Sequence, residues 1–299
     1  MSVGARLLAG LACLLLACNT NSRRALELHS ADASAAHASQ PKIVWPNGAR
    51  AAVSLTYDDA LRSQLDHAVP ALRKHALVGT FFLTGRSPVL QASPESFRAL
   101  RRAGHELGAH TMNHPCDRML SFVQPGMSLQ DYDSARMESE LAESIAQLRD
   151  LGQQGPLSFA YPCGSTWLGD PPISYVPSIE KSFVAARGVT PGIVDPAHPR
   201  LFDAASVMGN LRAGALIDWV ERAIESGGWL VFTFHGVEGE QLSVDADAHE
   251  ALLAHLEKNK AQVWTERFGP VAEYVRAHAP VETAAPPASA SASASAGAR

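Results

Sequence analysis

The chain has 299 residues, of which 46% are hydrophobic and 18% are charged, and its formal net charge at neutral pH is −5. This length accommodates one barrel-sized domain or two smaller ones. The mild negative charge and the lack of a long basic run argue against a nucleic-acid partner, although charge alone does not exclude a neutral glycan.

The N-terminal residues have the pattern of an export signal. Arg6 precedes a continuous apolar run over 7–17, which is shorter than the roughly 20 residues of a membrane-spanning helix. The run ends in Leu-Leu-Ala-Cys at Cys18, which resembles a bacterial lipobox whose cysteine is lipidated. An ordinary cleavage site with an unmodified Cys18 is the alternative. We predict a lipoprotein-type signal peptide over 1–18 and an exported protein of the bacterial cell envelope, held at the membrane only by its lipid.

The composition on either side of the central region is that of unfolded chain. Residues 19–41 are rich in Ala, Ser, Asn and His without hydrophobic periodicity, which predicts a flexible linker. Residues 280–299 consist largely of Ala, Ser and Pro, and such a tail buries too little apolar surface to offset its chain entropy. The folded domain is therefore predicted over 42–279, which is long enough for one α/β domain with a sizeable core.

Short apolar segments with strand character alternate along this domain with amphipathic segments of helical period. In chain order they are strand Ala51–Tyr57, helix Leu65–His75, strand Gly79–Leu83, helix Ser93–Ala103, strand His105–His110, helix Asp133–Leu151, strand Leu157–Tyr161, a mixed segment Tyr175–Ala185, helix Gly214–Ser226, strand Trp229–Phe234, and helices Glu250–Asn259 and Pro270–Ala279. This alternation predicts a parallel sheet or a βα-barrel.

Polar side chains follow directly after several of these strands. Asp58 and Asp59 end the first strand, His110 and His114 follow the third, and His235 follows the strand near residue 232. Strand ends of this kind meet at one edge of a parallel sheet. A carboxylate with two histidines four residues apart is a ligand set for a divalent metal with open positions, and a second carboxylate beside it can act as a base. Taken singly, an Asp-Asp pair is more often a turn and a His-x-x-x-His pair more often two surface histidines.

These strand ends lie within motifs that resemble those of the polysaccharide deacetylases, carbohydrate esterase family 4, which share the NodB-homology domain. The second motif is the most specific of five, and the resemblance covers nearly all of 42–279. The five segments are Thr56–Ala60, Gly104–Pro115, Phe159–Gly164, Leu216–Trp219 and Phe232–His235.

The resemblance implies an α/β fold, a distorted (β/α)7-8 barrel with an active-site groove at the C-terminal face of its strands. It implies that Asp59, His110 and His114 hold one divalent metal ion, with zinc as the expected ion. The implied activity is the hydrolysis of acetyl groups from a carbohydrate, either of the N-acetylglucosamine type or O-acetylated. The implied partner is an acetylated glycan.

The resemblance also implies roles for the residues around the metal. Asp58 is expected to act as the general base and His235 as the general acid, with Asp218 holding His235 in its charged, oriented form. The backbone N–H of Cys163 is expected to stabilise the oxyanion. An acid is needed because an expelled amide nitrogen leaves poorly unless it is protonated.

Aromatic residues are the candidates for contact with the sugar. Tyr161 and Trp219, in the third and fourth motifs, are predicted to bind substrate, with Trp219 at the acetyl group. Trp167, Trp229 and Trp264 are further candidates for a sugar platform, although core packing is the commoner fate of tryptophan.

Several positions depart from the family pattern. Ala160 stands where an arginine usually contacts the catalytic aspartate, so that Asp58 needs another cation. Ala60 replaces a common glycine, and Cys163 replaces an aromatic residue. In the family fold the loops of Cys116 and Cys163 rim one pocket, which favours a disulfide between them, with two buried free thiols as the alternative.

Two other functions remain open from the sequence. A hydrolase on the same scaffold could act on a non-sugar amide such as a cyclic imide, although the export signal argues against a cytosolic substrate. A non-catalytic carbohydrate-binding lipoprotein is the second alternative, and the arginine missing at Ala160 is its one support.

Overall fold

The computed structural model describes residues 43–279 of the chain. The predicted signal peptide over 1–18 with its Cys18, the linker over 19–41 and the tail over 280–299 lie outside the described residues. Within the described part of the chain, no helix combines the length and apolarity required to cross a membrane.

The described residues are organised around one curved sheet of eight parallel strands. In chain order the strands are β1 (Ala51–Asp58), β2 (Thr80–Leu83), β3 (Glu106–Ala109), β4 (Ser158–Ala160), β5 (Trp167–Leu168), β6 (Ile173–Ser174), β7 (Ala185–Arg187), β8 (Val207–Met208), β9 (Trp229–Phe234) and β10 (Val263–Thr265). The sheet has the order β7-β4-β3-β2-β1-β9-β8, and β10 pairs with the first half of β1. Strands β5 and β6 form a separate antiparallel hairpin.

The two ends of this sheet approach each other. Ala204, three residues before β8, forms a parallel bridge with Arg187 at the end of β7. The peptide groups on either side reinforce it, since Gly188 N donates to Ala204 O at 3.0 Å and Ala204 N to Ala186 O at 2.9 Å. The strands therefore curl into a distorted barrel, and the α/β barrel prediction is confirmed.

Eight α-helices connect the strands in the described region. They are α1 (Val69–Lys74, after a π-helical turn Gln64–Ala68), α2 (Pro88–Ala92), α3 (Pro94–Arg102), α4 (Ser134–Asp150), α5 (Val176–Ser182), α6 (Ala213–Ser226), α7 (Ala246–Lys258) and α8 (Phe268–His278). Local chemistry sets their ends. The Asp133 side chain accepts a hydrogen bond from Arg136 N at the start of α4, and Gly227, with φ 78°, ends α6.

The sheet is covered on both faces. All eight residues of β1 and all six of β9 are buried, which is why both strands have nearly continuous apolar sequences.

The predicted elements agree with the structure where they are long. The five predicted strands and the longer helices are present within a few residues, and the mixed segment Tyr175–Ala185 divides into α5 and the start of β7. Strands β5, β6, β8 and β10 were not predicted, because two or three residues show no periodicity.

Candidate active site

The turn after β1 separates two adjacent carboxylates. Asp58 is the last residue of β1 and is buried, whereas Asp59 and Ala60 adopt left-handed backbone conformations, with φ of 78° and 55°. The turn points Asp59 towards the loop after β3. Glycine adopts such a φ without steric cost, which explains physically why glycine is common in the family where this chain has Ala60.

The loop after β3 presents two imidazoles. His110 Nδ1 lies 2.8 Å from Ala160 O, and because a carbonyl only accepts, Nδ1 carries a proton and Nε2 is the nitrogen that can offer a lone pair to a metal. His114 has φ 52°, and its N–H donates to Thr111 Oγ1 at 3.0 Å. Burial, followed by the neighbouring His110, lowers the pKa of His114 to about 4, so that this imidazole is neutral at pH 7.

Asp59, His110 and His114 come together as a group with the composition of a metal site. Asp59 Oδ1 lies 3.6 Å from His110 Nε2 and 3.5 Å from His114 Nε2. One ligand atom from each residue lies within 4.8 Å of the other two. One carboxylate and two imidazoles, with open positions, suit a divalent cation.

Asp58 lies beside this group and pairs with a buried arginine. Arg187, at the end of β7, is fully buried and donates from its Nη2 to Asp58 Oδ2. Burial acts to raise the pKa of Asp58, but the electrostatic interactions with Arg187, His110 and His235 and the Arg187 hydrogen bond outweigh it, and the net pKa is lowered. Asp58 Oδ1 is buried and has no hydrogen-bond partner among the described residues.

The sequence did not identify Arg187, although it indicated that Asp58 lacks its usual cation. Ala160, at the family's arginine position, is the register partner of Arg187 on the neighbouring strand. The guanidinium therefore comes from one strand further along the sheet. A lone arginine at the end of an apolar segment was the available signal.

His235 completes the group at the end of β9. Its Nε2 lies 4.0 Å from Asp59 Oδ2, and its backbone carbonyl accepts from Gln64 Nε2 at 3.1 Å. The same Gln64 amide donates to Asp58 O, so that one buried side chain ties the ends of β1 and β9 together. His235 Nδ1 is buried and has no hydrogen-bond partner in the described region.

The prediction that Asp218 orients His235 is wrong. Asp218 is exposed on α6, and no described side chain bonds to His235 Nδ1. Helix geometry gives the reason, since α6 buries the face of Leu216 and Val220. Asp218 lies two residues, roughly 200°, from Leu216 and therefore on the opposite face.

The two predicted substrate contacts have other partners. Tyr161 is buried, donates to Phe202 O at 2.9 Å and packs edge-on against Phe159, so the structure contradicts its predicted role in substrate binding. Trp219 is half-buried against the core, with the Arg222 guanidinium carbon 4.9 Å from its ring centre. Among the described residues, neither has a hydrogen bond or ring contact with the Asp-His group.

A disulfide joins two loops at the site. Cys116 and Cys163 are bonded, with 5.8 Å between their Cα atoms, so the structure has the bridge and not the two free thiols. Cys116 Sγ lies 3.5 Å from His114 Nδ1. Cys163 has φ 53° in the turn after β4. Its backbone N–H is the predicted oxyanion donor.

The loop after β9 contributes a residue that the sequence did not single out. Gln241 Nε2 donates to Asp59 Oδ2 at 3.1 Å, while Thr84 Oγ1 donates to Asp59 Oδ1 at 3.3 Å. Glu240 Oε1 fixes this loop by accepting from Arg62 N and Ser63 N. No motif marked Gln241, because its position depends on how the loop folds back over the site.

Strained backbone is concentrated in these loops. Of the ten described non-glycine residues with positive φ, eight lie at the site or in the loop after β9. They are Asp59, Ala60, Thr111, His114, Cys163, Glu238, Glu240 and Leu242. Such conformations cost about 1–3 kcal/mol each and cluster at functional sites, which supports this face as the working face of the protein.

Comparison with known proteins relates the chain to polysaccharide deacetylases by sequence and by fold. The family model described as polysaccharide deacetylase matches residues 46–169. A protein assigned as a polysaccharide deacetylase from Pseudomonas aeruginosa PAO1 has the same fold, with a TM-score of 0.58 and 15% identity over 81% of this chain and 96% of that one. Another so assigned, from Mycobacterium smegmatis, gives a TM-score of 0.57 and 18% identity over 79% and 93%.

The family-model match confirms the resemblance to the polysaccharide deacetylases over residues 46–169, the part of the chain that holds the first three motifs. A curated relative, a gellan lyase from a Bacillus species, is 25% identical over 271 residues. That alignment covers 80% of this chain and only 10% of the lyase. The activity in its name therefore belongs to a much longer protein.

Proposed function

We propose that the protein is a metal-dependent hydrolase that removes acetyl groups from a carbohydrate, either of the N-acetylglucosamine type or an O-acetylated poly- or oligosaccharide. The match of residues 46–169 to the polysaccharide deacetylase family model supports this class of reaction. The observation that carries the proposal is the grouping of Asp59, His110 and His114 beside a second carboxylate, Asp58.

The residues present fit a divalent cation, and zinc is the ion that we propose. Asp59 Oδ1 and the two Nε2 atoms would hold it, and the carbonyl behind His110 Nδ1 fixes that ring's tautomer and orientation. A bound cation of this kind polarises the acetyl carbonyl and lowers the pKa of a water molecule from about 16 to near 7.

Two side chains then carry out the proton transfers, Asp58 as the base and His235 as the acid. Arg187 keeps Asp58 ionised through Oδ2, which leaves Oδ1 free to take a proton from the attacking water. His235, at the end of the strand next to that of Asp58, protonates the leaving nitrogen or oxygen. The backbone N–H of Cys163 stabilises the developing oxyanion, a contribution of about 3–4 kcal/mol for such donors.

The non-catalytic alternative loses its one support. It depended on the arginine missing at Ala160, and Arg187 supplies a guanidinium to the same carboxylate. The non-sugar amide alternative is distinguished by substrate. Screening acetate release from acetylated chito-oligomers, acetyl-xylan and peptidoglycan, with metal supplied, tests both alternatives together.

Variants of two site residues test the division of labour. Asp58→Asn is expected to keep the metal and lose turnover, whereas His110→Ala is expected to lose the metal. Elemental analysis beside the acetate assay measures both effects. Full activity in Asp58→Asn would exclude this carboxylate as the base.

We further propose that the protein is exported and anchored in the bacterial cell envelope by a lipid on Cys18. The support is the sequence of residues 7–18, which lie outside the described residues. Incorporation of labelled palmitate by the full chain, and its loss in Cys18→Ser, is the expected result.

A further inference from the structure

The disulfide lies directly behind one of the two histidines of the site. Cys116 Sγ is 3.5 Å from His114 Nδ1, and Cys163 is bonded to Cys116 from the turn after β4. One ligand atom of His114 and the two sulfur atoms all lie within 4.8 Å of one another. The ring therefore has two faces to the site, since Nε2 lies 3.5 Å from Asp59 Oδ1 while Nδ1 meets the sulfur.

The two histidines differ in the partner of their Nδ1 atoms. His110 Nδ1 donates to the carbonyl of Ala160, which is the usual kind of partner behind a metal-binding imidazole. His114 Nδ1 has no hydrogen bond to a carbonyl or carboxylate among the described residues, and its one such neighbour there is Cys116 Sγ. Sulfur is a weak hydrogen-bond acceptor. The fold therefore leaves this nitrogen available as a ligand atom.

The spacing of these atoms is close to that required by one tetrahedral cation. With Zn–S bonds of about 2.3 Å and Zn–N bonds of about 2.0 Å, tetrahedral geometry places a sulfur and a nitrogen roughly 3.5 Å apart and two sulfurs roughly 3.8 Å apart. Cys116 Sγ and His114 Nδ1 already have the first separation. Two sulfurs that are no longer bonded move apart to van der Waals contact, which is near the second separation.

The bridge is accessible at one cysteine and anchored at the other. Cys163 is exposed, so a reductant can reach its sulfur, whereas Cys116 is fully buried. The backbone holds Cys116 independently of the disulfide, because its carbonyl accepts from Leu129 N at 2.8 Å and the residue forms a β-bridge with Ser128. Cys116 Sγ therefore stays beside His114 when the S–S bond is broken.

We propose that reduction of this disulfide creates a second metal site, in which Cys116 Sγ, Cys163 Sγ and His114 Nδ1 bind one thiophilic cation such as Zn²⁺. The reductant is a dithiol: the S–S bond takes up two electrons and two protons and becomes two thiols, while the dithiol is oxidised to a disulfide. The cation then displaces the two thiol protons, because the thiolate is the ligand form. Water takes the fourth position on the exposed side of Cys163.

The second site and the Asp-His group share the ring of His114, so they compete for it. A neutral imidazole carries one proton and offers one lone pair. A cation on Nδ1 leaves the proton on Nε2, the nitrogen that faces Asp59. Thiolates also suit zinc better than a carboxylate does. The redox state of the bridge therefore selects which of the two ligand sets is complete.

Titration with Co²⁺ tests the site, because cobalt bound by a thiolate has an intense charge-transfer band in the near ultraviolet. The full chain is reduced with a phosphine, which is oxidised to its oxide, then desalted without oxygen and titrated beside the oxidised chain. The band is expected in the reduced chain and not in the oxidised one. The double variant Cys116→Ser/Cys163→Ser is expected to lose it, and this variant keeps Cys13 and Cys18, so it controls for the other thiols.

His114→Gln tests the nitrogen ligand while both thiols remain. The Kd of the reduced chain for Co²⁺ is expected to rise about tenfold or more, whereas His67→Gln, at an exposed position on the π-helical turn, leaves it unchanged. No band in the reduced natural chain would overturn the site. So would an equal band in the double serine variant or in the reduced chain unfolded by urea, or an unchanged Kd in His114→Gln. None of these readouts needs acetate release, so they stand apart from the deacetylase proposal.

Discussion

At the scale of single residues, the cation beside Asp58 comes from a different strand than the family pattern predicts. Ala160 and Arg187 are opposite each other on β4 and β7, so a guanidinium from either position can reach the same carboxylate. The sequence showed that Asp58 lacked a partner but not where the replacement lay. That register is set by the pairing of two three-residue strands, and pairing across a sheet is not encoded locally.

Arg187→Met tests whether Arg187 on β7 takes the place of the family's arginine beside Asp58. Without the positive charge, the pKa of Asp58 rises, because burial then acts with less opposition. A base works only when ionised, so the acid limb of the kcat/KM profile is expected to move to higher pH. Stability is expected to fall by roughly 3–5 kcal/mol, since an unpaired buried charge remains.

Ala160→Arg in the Arg187→Met background gives the matched rescue. It returns the guanidinium to the family position, and partial return of both the pH profile and the urea midpoint is expected. An acid limb that stays in place in Arg187→Met alone would show that Arg187 does not set the ionisation of Asp58.

Gln241 orients Asp59, a proposed metal ligand, in the same indirect way. It holds Asp59 Oδ2 and leaves Oδ1 facing the two imidazoles. Loss of such an outer partner typically lowers metal affinity about 10–100-fold, and that is the effect expected for Gln241→Ala in a chelator-competition titration. Leu242→Ala, at the exposed neighbouring position, is the control, and equal affinities in the two variants would contradict the role of Gln241.

At the scale of secondary-structure elements, helix α4 supports the loop that carries the two histidines. Glu140, buried on α4, accepts from the backbone N–H groups of Met112 and Asn113, both at 3.1 Å, and from Asn113 Nδ2 at 2.7 Å. The Tyr132 hydroxyl also donates to it. These contacts fix the stretch between His110 and His114, so the spacing of these two proposed ligands depends on a helix that contributes neither of them.

Glu140→Ala is expected to leave those donors without partners. Each unsatisfied buried donor costs about 1–3 kcal/mol, so urea unfolding should show a loss of several kcal/mol together with weaker metal binding. Glu143→Ala, one turn along α4 with an exposed pair to Arg86, should change stability by less than about 1 kcal/mol. Similar losses in the two variants would indicate general damage to the helix instead.

The elements also show how far the sequence could be interpreted. The sequence located five site residues because each lies at or shortly after the end of a buried strand: Asp58, Asp59, His110, His114 and His235. The expectation that functional residues lie at strand ends requires only that those ends be identified. Asp218 was misplaced because a motif match ignores which face of a helix is buried. Gln241 and Glu140 act through loops and a helix that the tertiary fold brings to the site, and no local pattern records such contacts.

At the scale of the whole molecule, one core buries histidines that the chemistry does not use. His105 Nδ1 accepts a hydrogen bond from Gly79 N at 3.1 Å, and His249 Nε2 lies 2.8 Å from the Tyr57 hydroxyl. Burial is the main cause that lowers the pKa of each to about 4 from 6.5. Both imidazoles are therefore neutral in the folded protein across the range in which an exposed histidine gains its proton.

This difference between the folded and unfolded states predicts a pH dependence of stability. Between pH 6.5 and about 4 the unfolded chain binds protons at these two positions and the folded protein does not, so stability falls as the pH falls through that window. Each histidine adds on the order of 3 kcal/mol at most to this loss of unfolding free energy. Urea unfolding at pH 7.5, 6.0, 5.0 and 4.5 is expected to show the midpoint decreasing, with most of the loss below pH 6.5.

His249→Gln isolates one of these contributions. The amide can still hydrogen-bond to the Tyr57 hydroxyl but does not titrate, so the variant is expected to lose less stability than the natural protein between pH 6.5 and 4.5. His67→Gln, at an exposed position on the π-helical turn, is the control and should retain the full loss. A pH dependence that is the same in all three proteins would mean that His249 takes up its proton without unfolding, and that the core around Tyr57 admits a charge.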